Sequence, residues 1–241
     1  MHSAAFVGPG VTLGDNVVIG PLAVILGPCT IGARTWIGAG SKIGSPPEIS
    51  SLRQNAAWTG DLAHEGVVIG AGVVIRENVV IHQGSHRATT VDDGAWILNS
   101  AYLAHDTHVG AGATVSAGVM VGGHAEIGVG ANIGMNATIH QRRLVAPGAM
   151  VGMGTPVTRD IPPFAKVYGT PPRVQGVNAV GMRRAGVPDA AIEALSELYV
   201  SETSDLGVLL ESKPWAAHRE LLEWWSTRGE LRPTQPGERT R

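Results

Sequence analysis

Aliphatic residues recur at every sixth position along most of the chain. The series runs from Val7 to Ile43, from Ile69 to Ile81 and from Val91 to Val157, and the residue two places earlier is mostly small or β-branched. Such a fixed period is typical of a β-solenoid built from hexapeptides, in which three flat faces make one coil of 18 residues. A β-sandwich would instead show alternating strands with irregular turn spacing. We therefore predict a mainly β protein, a parallel β-helix with one aliphatic residue per face pointing inwards.

Two breaks in the period predict loops that leave the coil. They fall at about 45–66 and 82–90, and the repeat itself ends after Val157. Loops that interrupt an otherwise strict repeat are often where function resides. We expect the chemistry of this protein to lie next to them.

The C-terminal part has a different, helix-forming composition. Pro188 and Asp189 suit a helix start, so the pattern predicts one helix from Pro188 through Tyr199 and a second from about Pro214 to Arg228. Leu221, Leu222, Trp224 and Trp225 form an apolar stripe that we interpret as a packing surface. The chain thus divides into a β-helix domain, 1–165, and a connecting segment with a helical domain, 166–241.

The amino-acid composition further narrows the possible class of protein. The hydrophobic fraction of 44% is too high for a disordered chain, and a net charge of −2 gives no general field for nucleic acid. The single cysteine, Cys29, cannot form an internal disulfide. No apolar stretch reaches bilayer length and no secretory signal is evident, so we expect a soluble, cytoplasmic protein.

Four histidines follow successive coil-equivalent positions on one corner of the solenoid. Each lies one to three residues after an aliphatic position of the six-residue repeat. The positions are coil-equivalent once the extra residues of the second loop are subtracted, and the histidines are His82, His105, His124 and His140. Each alone could be an exposed imidazole at a polar turn. Together, beside a loop, they predict a functional edge.

Several short motifs in this order resemble the UDP-N-acetylglucosamine O-acyltransferases of lipid A synthesis. The resemblance reaches from the first hexapeptide to about Arg232, and the motifs that carry it are Val74–Glu77, Ile81–Gly84, Ala104–Asp106, Gly122–His124, His140–Gln141, Val157–Pro163, Gly169, Gly176, Asn178 and Gly181. It implies a left-handed parallel β-helix that forms a homotrimer, with active sites between neighbouring prisms. It also implies transfer of an acyl group from acyl carrier protein to a sugar hydroxyl, without a metal or bound cofactor.

The resemblance also assigns roles within the site. His105 is the candidate general base, because histidine suits proton transfer near neutral pH, and Asp106 would orient it. The backbone N–H of Gly123 would stabilise the oxyanion. The remaining positions implied for substrate binding are His82, Tyr102, His124, His140, Gln141, Asn178 and Arg184.

The sequence departs from the family pattern around the acceptor. Tyr102 replaces a histidine, the loop at Asn55–Trp58 lacks a lysine, and Val180 and Ala185 replace a glutamate and an arginine. These changes make a different sugar or amino-sugar acceptor plausible, as an O- or an N-acylation, and a CoA donor stays open.

Three further positions carry specific expectations. Arg142 and Arg143 stand where the family has uncharged residues, and we expect this pair either to bind an anionic group of a substrate or, for Arg143, to bulge into solvent. Met153 occupies the position that limits acyl length in the family, which predicts a medium or short chain, unless it merely fills a gap.

Other functions stay open at this point. A zinc hydratase of the γ-carbonic-anhydrase type would also use a histidine-lined edge, although its spacing differs and the helical tail is foreign to it. A non-catalytic solenoid is the other alternative. If acyl carrier protein is the partner, Arg183, Arg184 and Arg219 are candidates for its docking surface.

Overall fold

The hexapeptide repeat folds as short parallel strands on three faces. The computed structural model describes residues 1–52, 54, 64–200 and 206–237. We call the three parallel sheets faces A, B and C, with eight, seven and nine strands. The predicted loop positions Asn55 and Ala57 lie outside the described residues.

The strands of each face stack in chain order. Face A contains Phe6–Val7, Val24–Ile25, Lys42–Ser45, Val80–His82, Tyr102–Leu103, Met120–Val121, Thr138–Ile139 and Pro156–Val157. Face B contains Val11–Leu13, Cys29–Ile31, Val67–Ile69, Thr89–Val91, His108–Val109, Glu126–Ile127 and Leu144–Val145. Face C contains Val18–Ile19, Trp36–Ile37, Val74–Ile75, Trp96–Ile97, Thr114–Val115, Asn132–Ile133, Met150–Val151, Ala165–Tyr168 and Arg173–Val177.

The register agrees with the predicted coil length. Leu103 pairs with Val121 and Val121 with Ile139, whereas Ile81 pairs with Leu103 across the second loop. The aliphatic residues of the repeat fill the interior of the prism, and Ile81, Leu103 and Val121 are at most 1% exposed. The predicted fold class, a parallel β-helix with a helical extension, is confirmed.

The solenoid continues further than the sequence predicted. Ile161 forms a parallel bridge to Val145, and the strand Ala165–Tyr168 pairs with Met150–Val151. The antiparallel strand Arg173–Val177 then closes face C. The six-residue period ends after Val157, and the last partial coil keeps the strand pairing without following that period.

Helices follow the last strand. They span Ala179–Arg184, Asp189–Val200, Gly207–Leu210 and Arg219–Ser226, with a 3-10 helix at Lys213–His218 before the last one. The first predicted helix is thus present, and the second divides into a 3-10 and an α segment. Leu222 and Trp225 are buried, as expected for a packing stripe. No helix within the described ranges has the length and apolar character needed to cross a bilayer.

Candidate active site

One corner of the prism, between faces A and B, carries a column of functional side chains. Asp106, His124 and Arg142 occupy the same turn position in three successive coils, and each has left-handed backbone with φ near +60°. Because their backbones are equivalent, their side chains project from the same edge one above another. Only Asp106 is covered, by residues of the second ejected loop.

His105 and Asp106 form a tightly held pair. The distance from His105 Nδ1 to Asp106 Oδ2 is 2.6 Å, and Asp106 is fully buried. A carboxylate in this position fixes the imidazole ring and leaves its Nε2 available for chemistry.

The second ejected loop explains how Asp106 can be buried. Backbone N–H groups of Ser85, His86 and Arg87 donate to Oδ1 at 2.8 to 2.9 Å, and the Ser85 hydroxyl donates to Oδ2 at 2.6 Å. Burial alone would raise the pKa of Asp106. The hydrogen bonds from the side chains of Ser85 and His105, and from the backbone N–H groups of Arg87 and His86, outweigh the effect of burial. They hold the pKa of Asp106 well below its usual range. Asp106 is therefore ionised and acts as an acceptor only.

Gly123 supports the imidazole from the next coil. A Cβ added to Gly123 would lie 2.6 Å from both Cε1 and Nε2 of His105, so the ring occupies the space that any larger residue would need. The backbone N–H of Gly123 donates to no protein acceptor in the part of the chain that the structure describes. An oxyanion near His105 Nε2 could therefore accept a hydrogen bond from this group.

His124 packs edge-on against the His105 ring. Their ring centroids are 5.1 Å apart at an interplanar angle of 88°, and His124 Nε2 is 3.6 Å from Asp106 Oδ2. Burial lowers the pKa of His124, and Arg142, His105 and Arg87 lower it further, while Asp106 opposes them. A neutral His124 beside the dyad can accept or donate one hydrogen bond to a substrate.

The dyad opens into a cleft of about 630 Å³ along face A. Several predicted site residues line it together: Tyr102, His105, Gly123, His140 and Gln141. Of the four edge histidines, His105 and His140 line this cavity, whereas His82 and His124 do not.

One wall of this cleft contains an acidic residue that the sequence analysis did not identify. Glu48 Oε2 is 3.2 Å from His82 Nδ1, and the His82 ring lies 5.2 Å from Tyr102. Burial raises the pKa of Tyr102, and the hydrogen bond and charge of Glu48 raise it further. Glu48 lies in the first ejected loop, outside the repeat, so no period in the sequence placed it near Tyr102.

Other predicted site residues lie elsewhere in the single chain. Asn178 and Arg184 line a second cavity, of about 760 Å³, that contains no part of the dyad. Asn178 also has a structural role, since its side chain accepts from Gly181 N and donates to Gly148 O. Met153 is 70% exposed and does not line the cleft of His105.

The expectation for Arg143 needs correction. Its guanidinium neither binds in the cleft nor bulges into solvent, but pairs with Asp160 at 3.1 Å. Asp160 is almost completely buried and also accepts from Leu144 N and Arg232 N. Arg143 therefore holds the last partial coil through Asp160, and Asp160 in turn binds the C-terminal segment. Arg142, in contrast, is exposed at the corner.

Two of the three arginines expected to dock a carrier protein, Arg183 and Arg219, already have partners on the surface. Arg183 pairs with Asp189 at 3.0 Å, and Arg219 lies 3.7 Å from Glu211. Both pairs are exposed, so each is worth little in free energy and a partner could displace it.

His105, Asp106 and His124 are also close enough to hold a metal ion, with their ligand atoms within 4.8 Å of one another. The lone pairs of Asp106 are already occupied by Ser85, His86, Arg87 and His105. A metal would have to displace the hydrogen bonds that fold the loop over Asp106. The arrangement therefore fits a base and its orienting carboxylate better than a zinc site.

Together, the fold and the corner define a hexapeptide-repeat solenoid with a histidine–aspartate dyad. Residues 10–45 match the bacterial transferase hexapeptide family, and residues 160–201 match the family described as Udp N-acetylglucosamine O-acyltransferase, domain 2.

Within that class, the similarity is to UDP-N-acetylglucosamine O-acyltransferases. The acyl-[acyl-carrier-protein]–UDP-N-acetylglucosamine O-acyltransferase of Gloeothece citriformis is 43% identical over 51 residues, which is 21% of this chain and 18% of that protein. The Synechocystis protein of the same name is 38% identical over 74 residues, or 29% and 27% of the two chains. The matched segments thus span less than a third of these curated relatives.

Solved structures extend the similarity over the whole fold. The UDP-N-acetylglucosamine O-acyltransferase of Moraxella catarrhalis superimposes with a TM-score of 0.77 at 25% identity, covering 96% of this chain and 99% of that one. The UDP-N-acetylglucosamine acyltransferase of Campylobacter jejuni gives a TM-score of 0.76 at 24% identity and 99% coverage of both chains, which shows the common fold. The resemblance noted in the sequence is confirmed.

Proposed function

We propose that this protein is an acyltransferase that moves an acyl group from acyl carrier protein to a hydroxyl of UDP-N-acetylglucosamine or a related sugar nucleotide. The observation that carries the proposal is the His105–Asp106 pair seated over Gly123 at the end of an open cleft. The names of the curated relatives supply the substrate classes.

The geometry suggests a general-base mechanism. His105 donates its Nδ1 proton to Asp106, so Nε2 accepts the proton of the attacking hydroxyl. The oxygen then forms a bond to the thioester carbon, and the negative charge on the carbonyl oxygen is stabilised by Gly123 N–H. When the C–S bond breaks, His105 returns the proton to the thiolate of the carrier arm. The reaction balances without a metal or cofactor.

A homotrimer is part of the proposal. Asn178 and Arg184 line a cavity on face C, whereas the dyad opens on face A of the same chain. If a neighbouring prism placed its face C against this face A, both sets would meet in one site. The acyl carrier protein donor would place the reaction in the cytoplasm.

The proposal on the length of the acyl chain rests on Met153. It is 70% exposed at a turn of the prism and has room to contact an acyl chain that runs out of the cleft along the coils. We propose that its side chain favours a medium or short acyl group over a long one, with or without a 3-hydroxyl.

Glu48 favours a second candidate acceptor. Its carboxylate stands beside Tyr102 on the cleft wall, where it suits a hydrogen-bond donor such as an additional hydroxyl or amino group. A sugar nucleotide other than UDP-N-acetylglucosamine, including an amino sugar, therefore remains an alternative acceptor, and CoA an alternative donor.

An acyl-transfer assay by mass spectrometry tests the proposal. Acyl and 3-hydroxyacyl carrier proteins of several lengths, and the matching CoA thioesters, are combined with UDP-N-acetylglucosamine and other sugar nucleotides. We expect one acceptor to gain an acyl group with the wild-type protein and not with His105→Ala.

The chain offers a matched control. His108 pairs with Asp92 at 2.8 Å on face B and does not line the cleft, so His108→Ala removes another carboxylate-paired histidine. It should retain full activity. Equal activity of His105→Ala and wild type would contradict the assignment of the base, and no transfer to any acceptor would contradict the proposed function.

A further inference from the structure

A second recess lies on the other side of the dyad corner. It has a volume of about 360 Å³ and is lined by His86, Arg87, His124, Glu126 and Arg142. Two of these five residues, Arg87 and Arg142, carry positive charge, and His86 and His124 add imidazole rings. This concentration contrasts with the chain as a whole, which has a net charge of −2.

The charges in the recess are not balanced internally. Arg87 and Arg228 both bind the Glu126 carboxylate, each at 3.1 Å, so two guanidinium groups share one anion. Arg228 is held there by stacking on Trp224, with its Cζ 4.3 Å from the ring centroid. Arg142 donates its backbone N–H to Gly123 O, and its exposed side chain has no ion pair or hydrogen bond to any residue in the described ranges. An anion at this point would complete the charge balance.

The recess is joined to the catalytic centre by a single imidazole. The His124 ring lies 5.1 Å from the His105 ring and 5.8 Å from the His86 ring. An anion bound between Arg142 and His86 is therefore separated from the reacting atoms by the width of His124.

We propose that this recess binds a phosphate ester of a substrate, with Arg142 as the principal cation and His86 and Arg87 beside it. Guanidinium and imidazole N–H groups match phosphate oxygens in charge and geometry. The identity of that substrate rests on the proposed acyl transfer. A phosphate on the anomeric carbon is only a sugar ring away from the attacking hydroxyl, whereas the phosphate of a pantetheine arm is far from its thioester. The short distance between phosphate and reacting group in the acceptor therefore favours the acceptor as the substrate whose phosphate binds in this recess.

The test compares binding of paired probes by isothermal titration calorimetry at constant ionic strength. UDP is compared with uridine, and 4′-phosphopantetheine with pantetheine, so that the members of each pair differ only in their phosphate groups, a diphosphate in the first pair and one phosphate in the second. The variant is Arg142→Asn, because asparagine tolerates the left-handed backbone of this position. Arg34→Asn is the matched control, since Arg34 is an exposed arginine with φ of +60° at another corner.

We expect the Kd of UDP to rise about tenfold in Arg142→Asn and to stay unchanged in Arg34→Asn, as for the loss of one charged hydrogen bond. Uridine binding should not respond, Arg142→Lys should restore part of the affinity, and thermal unfolding should be the same for all. The same dependence for phosphopantetheine instead of UDP would support the phosphate site and assign it to the donor.

Equal affinities of Arg142→Asn and Arg34→Asn for both phosphate probes would overturn the proposal. These measurements involve no turnover, so they separate the two hypotheses. Phosphate binding that depends on Arg142 without any acyl transfer would leave the site intact and refute the proposed function.

Discussion

Gly123→Ala tests the geometry of the dyad without removing any catalytic group. The added Cβ would lie 2.6 Å from Cε1 and Nε2 of His105 and 3.2 Å from its Cδ2. Ordinary contacts begin at 3.4 Å, so the ring must withdraw by most of an ångström. Gly123 does not have left-handed backbone, so alanine itself is compatible with the main chain.

The displacement should be costly because the ring has little freedom. His105 is held at 2.6 Å by Asp106, which is fixed in turn by the loop at Ser85–Arg87. A misplacement of about 1 Å in a catalytic group can reduce the rate roughly 100-fold, or about 2.7 kcal/mol in activation free energy. We therefore expect kcat to fall about 100-fold while the midpoint of thermal unfolding changes little.

The assay is steady-state acyl transfer with the acceptor identified by mass spectrometry, together with thermal unfolding. Gly8→Ala is the control, since its added Cβ would meet atoms no closer than 3.4 Å. Unchanged kcat in Gly123→Ala would refute the placement of His105 over this glycine. A large loss of stability would show instead that the substitution disrupts the coil.

Four further predictions follow from the hydrogen bonds and ion pairs. Asp106→Asn should lower kcat by about 10³- to 10⁴-fold, because the imidazole loses the acceptor that sets its tautomer. Since the pKa of Asp106 is lowered on folding, the wild-type protein should lose stability as pH falls below about 4, and chemical unfolding at several pH values should show a smaller loss in the variant. Tyr102→Phe should raise the acceptor KM by up to about tenfold with kcat unchanged, because Glu48 loses a hydrogen-bond donor; a change in kcat alone would contradict this. Arg143→Ala should lower the free energy of unfolding by about 3 kcal/mol, because Asp160 stays buried without its cation, and denaturant titration would show it; an increased KM at unchanged stability would contradict the structural role.

The sequence predicts the fold and the histidine edge because both depend on one period, whereas the roles of His105 and Asp106 come from the family resemblance. Once every sixth residue points inwards, residues 18 apart must share a corner. Asp106 therefore stacks with His124 and His105 with Gly123, which makes the rings of His105 and His124 neighbours. Asp106 follows directly because it is the next residue at the same turn. No long-range information is needed for these positions.

The residues that hold the dyad in place lie outside the six-residue repeat. The repeat predicts a loop at 82–90 but cannot show that Ser85 and the following backbone N–H groups fold onto Asp106. Glu48 was missed for the same reason, since it meets His82 and Tyr102 from the other loop. Their contacts are set by loop conformation, which has no repeating pattern.

Arg143 illustrates a different failure of prediction. Its position in the repeat is normally small, so an arginine there suggested a ligand or a bulge. Its partner Asp160 belongs to the last partial coil, where strand pairing continues without the six-residue period. The sequence could not pair the two residues because Asp160 follows the end of the six-residue period, so no repeat position relates it to Arg143.

The corner column shows how one backbone position acquires three chemical roles. Asp106, His124 and Arg142 share the same left-handed turn, so the local fold does not distinguish them. Their surroundings do: Asp106 is fully buried under the loop, the His124 side chain is 20% exposed at its edge, and Arg142 is exposed beyond it. Burial among hydrogen-bond donors makes Asp106 an oriented anion, and partial burial keeps His124 neutral. Exposure leaves Arg142 charged and available to a ligand. A strict repeat can therefore vary its chemistry along one edge through the loops that cover it, because the coils beneath remain the same.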